Sequence, residues 1–113
     1  MALKWYPPLQ ESLTTLQPFQ PAVLDLAAGQ QADFSIKPSS SQKYKIETKG
    51  ASDTLLVLFE DINGVARYLS GDDDSGEDRN ASITYKLFQS REYIVRLRLY
   101  HPGGTGKTSL MYS

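Results

Sequence analysis

Apolar and polar residues alternate along much of this chain, in short runs separated by glycine, proline, asparagine and serine. Side chains of a β-strand point to opposite faces in turn, so this alternation is typical of strands with one buried face. No segment shows sustained apolar residues at helical spacing. The runs predict seven or eight strands, which fall at residues 22–26, 33–37, 44–48, 55–59, 65–69, 83–87, 93–100 and 107–112. The expected fold is all-β, a jelly-roll-like antiparallel β-sandwich.

Two of these runs carry more detail. Residues 55–59 are continuously apolar, which indicates a central strand covered on both faces. Asn63-Gly64 follows that run, and this dipeptide tolerates the positive φ angles of a tight hairpin turn. The sequence therefore predicts a hairpin between residues 55–59 and 65–69.

The first 21 residues differ from the rest of the chain. They contain four prolines among glutamine, serine and threonine, and proline removes backbone donors and fixes φ. We therefore predict a proline-rich N-terminal segment, residues 1–21, that packs on a β-sandwich domain formed by residues 22–113. Trp5 and Phe19 are its expected anchors on the domain surface.

Size and charge limit the possible functions. A chain of 113 residues forms one domain, and its formal net charge of −1 provides no general attraction to nucleic acid or to an acidic membrane. There is no cysteine, no apolar run long enough to span a bilayer, and no secretory signal at the start. The protein either stays where it is made or is a module of a longer exported chain.

The segment between the sixth and seventh predicted strands is strongly acidic. Five carboxylates fall within residues 72–78. Like charges this close repel one another unless water or a cation screens them, and Ca²⁺ accepts the oxygen ligands of a short acidic loop. The spacing does not fit an EF-hand, so the candidate ligands come from the loop and a nearby strand end: Asp53, Asp72, Asp73, Asp74, Glu77 and Asn80. Asn80 could instead cap a turn, and the whole loop could instead be a solvated connector.

No catalytic site is predicted. Residues 103–108 are rich in glycine, but the first glycine of a phosphate-binding loop is replaced by His101, and only five residues follow Thr108. A glycine-rich hairpin turn explains this segment, so no nucleotide is expected. His101 is the only histidine and has no recognisable base or nucleophile partner.

A candidate binding surface comes from tyrosine and arginine near the seventh and eighth strands. Tyr85, Arg96, Arg98 and Tyr100 could form an outward stripe on adjacent strands, suited to contact with a protein or polysaccharide. Cross-strand pairing within a sheet explains the same residues equally well.

The order of motifs resembles the bacterial pre-peptidase C-terminal domain family. The segments that carry the resemblance span roughly residues 31–112, and they are 44–48, 50, 52–58, 73–76, 80–83, 92–97 and 104–106. Two features depart from the family pattern: Thr108 stands where an aromatic residue is often found, and Glu77 and Asp78 enrich the acidic loop.

The resemblance implies a small β-sandwich appended to secreted peptidases or other exported enzymes, related to the collagen-binding domains of clostridial collagenases. It implies an extracellular or periplasmic location, a parent peptidase or other exported enzyme as partner, and calcium at the acidic loop. The expected function is a non-catalytic accessory or targeting domain stabilised by calcium. The alternative is a module that binds protein or polysaccharide through the tyrosine–arginine surface.

Overall fold

The computed structural model describes residues 13–50, 54–72, 80–99 and 106–113. Within these ranges it contains nine β-strands and no helix. The strands are β1 Thr14–Thr15, β2 Ala22–Leu26, β3 Gln31–Ile36, β4 Gln42–Lys49, β5 Thr54–Ile62, β6 Val65–Asp72, β7 Ser82–Leu87, β8 Glu92–Leu99 and β9 Gly106–Tyr112. The described residues therefore include no helix long and apolar enough to cross a membrane.

The strands form two sheets that pack face to face. The five-stranded sheet has the order β1-β3-β8-β5-β6, and the four-stranded sheet has the order β2-β9-β4-β7. Neighbouring strands are antiparallel except for β1 and β3. The predicted antiparallel β-sandwich is therefore confirmed. All eight predicted strands are present, and the ninth, β1, is too short for alternation to reveal it.

Alternation along the strands builds the core between the sheets. Ile46 in β4, Leu58 in β5 and Leu97 in β8 are fully buried and belong to one continuous apolar cluster. Their neighbours along each strand point to the outer face, the side of a sheet that faces away from the other sheet. Burial of one face per strand sets the register of pairing, because a slip of one residue would turn the apolar set outward.

Strand β5 is covered on both faces, as its continuous apolar run predicts. Leu56 and Leu58 lie in the main core, whereas Val57 and Phe59 belong to a second cluster on the outer face of the five-stranded sheet. Ile94 of β8 completes that cluster, and Leu13 packs against it. This outer face is thus partly apolar and buried.

The predicted hairpin joins β5 to β6. Asn63 and Gly64 have φ angles of 53° and 84°, both in the left-handed region that this dipeptide tolerates. The Gly64 amide donates a hydrogen bond to Asp61 Oδ1 at 2.9 Å, which closes the turn. Pairing shifts register between Leu58 and Phe59.

The described part of the N-terminal segment packs on the domain through a different residue from the one expected. Phe19 is 74% exposed, so the prediction that it anchors the segment is wrong. Leu16 is buried in the main core instead, and its amide donates to the carbonyl of Ser35 at 2.9 Å. Trp5 lies outside the described residues, and the division into residues 1–21 and 22–113 stays a prediction.

Candidate functional site

The acidic segment connects the two sheets at one end of the sandwich. It leaves β6, an edge strand of the five-stranded sheet, and enters β7, an edge strand of the four-stranded sheet. Of the six candidate calcium ligands, Asp72 and Asn80 are described, at the two ends of the segment. Asp53, Asp73, Asp74 and Glu77 lie outside the described residues.

Asp72 fixes the start of the segment. Its Oδ2 accepts a hydrogen bond from the amide of Ser82, the first residue of β7, at 2.8 Å. This contact joins the edge strands of the two sheets, whose backbones are not hydrogen-bonded to each other. A bond to an ionised acceptor is stronger than a neutral one, so the carboxylate holds the two edges together.

A buried group of polar residues fixes the other end. Thr48 Oγ1 accepts from the amide of Ala81 at 2.9 Å and donates to Asn80 Oδ1 at 3.2 Å. The Thr48 and Thr54 hydroxyls are 2.6 Å apart, and Asn80 Nδ2 donates to the carbonyl of Gly50 at 3.1 Å. We call these five residues, Thr48, Gly50, Thr54, Asn80 and Ala81, the anchor network.

The direction of each bond follows from the chemistry of a hydroxyl group. Thr48 has a single hydroxyl proton, which goes to Asn80, whose Oδ1 is an acceptor. Thr54 therefore donates in the pair with Thr48. Thr48 is in β4 and Thr54 is in β5, so this bond also crosses from one sheet to the other.

The geometry favours the structural role of Asn80 over a ligand role. Its side chain is almost completely buried, its oxygen accepts from Thr48, and its nitrogen donates to Gly50. Within the residues that the structure describes, no group of three or more histidine or acidic side chains is arranged to hold a metal ion. The described residues therefore show the hydrogen-bonded frame on both sides of the acidic segment, namely the anchor network and the Asp72–Ser82 bond.

The sequence indicated the residues of the anchor network only in part. Thr48 was predicted to lie in a strand, Thr54 to precede the next strand, and Asn80 to be a ligand or a cap. Their convergence depends on how β4, β5 and the start of β7 meet, which no local pattern in the sequence reports.

The described members of the predicted tyrosine–arginine stripe do not form a continuous outward surface. Strands β7 and β8 belong to different sheets, so the expectation that they are adjacent is wrong. Tyr85 is partly buried and packs against the main core, and Arg96 is only 2% exposed. Arg98 is exposed on β8. Tyr100 lies outside the described residues, and a binding role for these side chains stays a prediction.

Arg96 instead forms a buried ion pair that sequence reasoning missed. Its Nε and terminal amino group donate to the two carboxylate oxygens of Asp33, at 2.9 Å and 3.2 Å. The two residues are opposite each other in β3 and β8, and the guanidinium also lies 5.8 Å from the centre of the Phe59 ring. Each residue reads as an ordinary polar position of an alternating strand, so only the register brings them together.

Comparison with known proteins supports the fold directly. No family model matches this sequence, and no curated protein matches it significantly. The pre-peptidase C-terminal domain of collagenase from Bacillus anthracis superposes with a TM-score of 0.72 at 13% identity, covering 95% of this chain and 100% of that domain. PliG from Aeromonas hydrophila, a periplasmic inhibitor of g-type lysozyme, superposes with a TM-score of 0.61 at 16% identity, covering 89% of this chain and 96% of PliG.

At such identities the similarity concerns architecture. The motif-based resemblance is confirmed at that level, since the chain has nine strands in two packed sheets and matches the collagenase domain along nearly its whole length. This chain accordingly has the β-sandwich fold of a pre-peptidase C-terminal domain.

Proposed function

We propose that this chain is a non-catalytic accessory domain of an exported enzyme, stabilised by calcium at the acidic end of the sandwich. The anchor network and the Asp72–Ser82 bond carry the proposal. They fix Asp72 and Asn80, the residues on either side of 73–79, in a hydrogen-bonded frame that joins the two sheets. Thr54, which directly follows Asp53, belongs to the same frame.

A hydrogen-bonded frame on both sides of the segment supports a metal role for physical reasons. Ordering a loop that contains repelling carboxylates is unfavourable, and a cation offsets that repulsion. If the two ends are already fixed, less conformational entropy is lost when the loop closes on Ca²⁺. Asp72, Asp73, Asp74, Glu77 and Asp53 are then the proposed ligands, with Asn80 as a structural anchor.

The fold is consistent with the accessory role. One similar structure is a domain of a collagenase, and the other is a periplasmic inhibitor protein, which also favours an exported location. A supporting domain needs neither a nucleophile nor a proton-transfer pair, and sequence reasoning identified neither here. The partner under this proposal is the parent enzyme.

Thermal melting with and without calcium tests the proposal. Binding to the native state alone adds RT ln(1 + [Ca²⁺]/Kd) to its stability, or about 1.4 kcal/mol at a tenfold excess over Kd. For a domain of this size we expect a rise in Tm of roughly 5 °C at millimolar calcium. A chelator should reverse the rise.

A test variant and a control variant locate the effect. Asp73→Asn/Asp74→Asn should abolish the response to calcium, whereas Asp25→Asn, on the exposed edge strand β2, should retain it. Identical melting curves with calcium and chelator would remove calcium from the proposal.

A second candidate function is recognition of another protein. Two large apolar side chains of the β5–β6 hairpin are exposed and are cross-strand partners on one face: Ile62 by 42% and Val65 by 60%. Exposed apolar groups with a polar rim mark interaction sites, and the exposed Arg67, which is paired with the buried Glu60, lies beside them. Retention on insoluble collagen and inhibition of g-type lysozyme are the two assays that the similar proteins suggest.

Variants connect those assays to the surface. Val65→Ser should weaken any retention or inhibition. Arg98→Ala tests the exposed arginine of the predicted tyrosine–arginine surface. Absence of both activities in the unmodified chain would rule out these two partners.

A further inference from the structure

Lysine is unevenly distributed between the two sheets. The chain has seven lysines, and five of them project from the outer face of the four-stranded sheet. We call this surface the lysine face, and its lysines are Lys43, Lys45, Lys49, Lys86 and Lys107. Only two described carboxylates share it, Asp25 and Glu47, which leaves an excess of three positive charges. The whole chain, in contrast, has a net charge of −1.

The strand pattern places these ammonium groups in a regular array. Lys43, Lys45 and Lys49 alternate along β4 with the buried residues Tyr44, Ile46 and Thr48. Residues two apart on a strand repeat every ~6.8 Å, so the row extends for about 20 Å. Lys86 on β7 and Lys107 on β9 flank it on both sides.

Part of this arrangement opposes stability. Lys43 and Lys86 are direct cross-strand partners, and like charges in that position are destabilising. A face required only for solubility would mix both signs of charge. Glu47 is the single carboxylate of the row, and its Oε1 is shared between Lys45 at 3.8 Å and Lys49 at 3.6 Å. The array therefore keeps uncompensated charge at the end that carries Lys43 and Lys86.

We propose that the lysine face binds an acidic polysaccharide, a chain of sugars that carries carboxylate or sulfate groups. Such a polymer is extended and repeats its anionic groups, which matches a flat sheet with a row of ammonium groups. Thr84 and Ser82 lie on β7 opposite Lys45 and Glu47, and their hydroxyl groups can hydrogen-bond to sugars. The proposal goes beyond the accessory role, since it requires neither calcium nor a parent enzyme.

The composition of the face selects a polysaccharide over other polyanions. None of the strand residues that point outward on the described lysine face is aromatic or arginine. Single-stranded nucleic acid is bound by stacking of bases on a series of aromatic rings, with arginine contributing. Here one exposed ring borders the face, Phe88 just beyond β7, and Lys86 and Arg91 already lie over it at 5.2 Å and 4.7 Å. Among the outward strand positions of the described lysine face, Val23 is the one strongly exposed apolar side chain, which is too little to form the apolar side that holds an interfacial segment in a lipid surface.

Binding of the full chain to heparin and to polygalacturonate at low ionic strength tests the proposal. Calorimetry should detect binding that weakens as salt is raised, because counterions compete for the same charges. Lys43→Gln/Lys86→Gln should lower the affinity about tenfold and reduce the salt dependence. The same variant should melt close to the wild-type temperature, since it removes a repulsive pair together with the contact of Lys86 Nζ with the Phe88 ring at 5.2 Å.

The matched control removes two positive charges from the other sheet. Lys37→Gln/Arg67→Gln has the same net charge as the test variant, and both residues are exposed. It should change the affinity by less than about twofold. Equal losses in the two variants would assign the binding to net charge and overturn the proposal.

Three further outcomes also overturn it. No binding to either polysaccharide at low salt removes the ligand class. Tighter binding to single-stranded DNA would assign the face to nucleic acid. Tighter binding to vesicles that contain anionic lipid would assign it to a membrane surface. All of these readouts are independent of calcium, so they are separable from the test of the accessory role.

Discussion

At the residue scale, Thr48 has an influence larger than its size suggests. One hydroxyl group contacts the Ala81 amide, Asn80 Oδ1 and the Thr54 hydroxyl, and all of these residues are buried. Thr48→Val keeps the shape of the side chain but leaves three polar groups without this partner. Each buried unpaired group is unfavourable by about 1–3 kcal/mol, so we expect a loss of about 3 kcal/mol or more in chemical denaturation.

The control for this prediction is Thr48→Ser, which keeps the hydroxyl. It removes one buried methyl group, worth about 1 kcal/mol. If the two variants lost equal stability, the hydroxyl would not be the important group. In that case packing alone would explain the role of Thr48.

The Asp33–Arg96 pair is the second residue-scale feature. Both side chains are at most 2% exposed, so removing one partner leaves a buried charge without compensation. We expect Arg96→Met to lower the free energy of unfolding by about 3–5 kcal/mol, measured by urea denaturation.

The double variant Asp33→Leu/Arg96→Met should be more stable than Arg96→Met. Replacing a whole buried ion pair with apolar residues removes the desolvation penalty of both charges. Additive losses in the double variant would contradict this account, because they would mean that the two side chains act independently.

At the element scale, the β5–β6 hairpin depends on the backbone of Gly64. Its φ of 84° is unfavourable for any residue with a β-carbon, although nothing lies within 4 Å of that position. Gly64→Ala should therefore destabilise the protein by about 1 kcal/mol through backbone strain alone. Asn63→Gly, which relaxes the neighbouring residue, should remain within a few tenths of a kcal/mol of wild type. A neutral Gly64→Ala variant would show that the turn can rearrange.

At the scale of the whole molecule, most contacts join distant parts of the chain. Strand β3 pairs with β8, and β2 pairs with β9, so the sheets close only after most of the sequence has been placed. Folding rates fall as such long-range pairing increases, and we expect refolding within milliseconds to seconds. Stopped-flow circular dichroism measures this directly. Complete refolding in microseconds would require a mainly local nucleus, which this topology does not provide.

Local patterns were sufficient for the elements. A period of two in hydrophobicity reflects burial of one face, and burial of one face is what makes a strand of a sandwich stable, so all eight longer strands were predictable. Asn63-Gly64 predicted its turn because the required φ angles are a property of the two residues themselves. The two-residue strand β1 escaped because two residues carry no period.

The candidate site was predictable only as a set of residue types. The acidic composition of residues 72–78 is visible in the sequence, but the anchor network requires β4, β5 and β7 to meet at one end of the sandwich. The prediction that Tyr85 lies next to Arg96 and Arg98 was wrong for a related reason. Neighbours in sequence were assumed to be neighbours in a sheet, and in this topology β7 and β8 separate into different sheets.

The sequence by itself determined the strands, the hairpin turn, the single-domain size and the absence of cysteine chemistry, because each follows from properties of nearby residues. The tertiary structure alone decided the strand order, the burial of Asp33 with Arg96 and the gathering of lysines on one face. These depend on which strands become partners. That choice is made by the packing of two sheets against each other, which no single segment of the chain encodes.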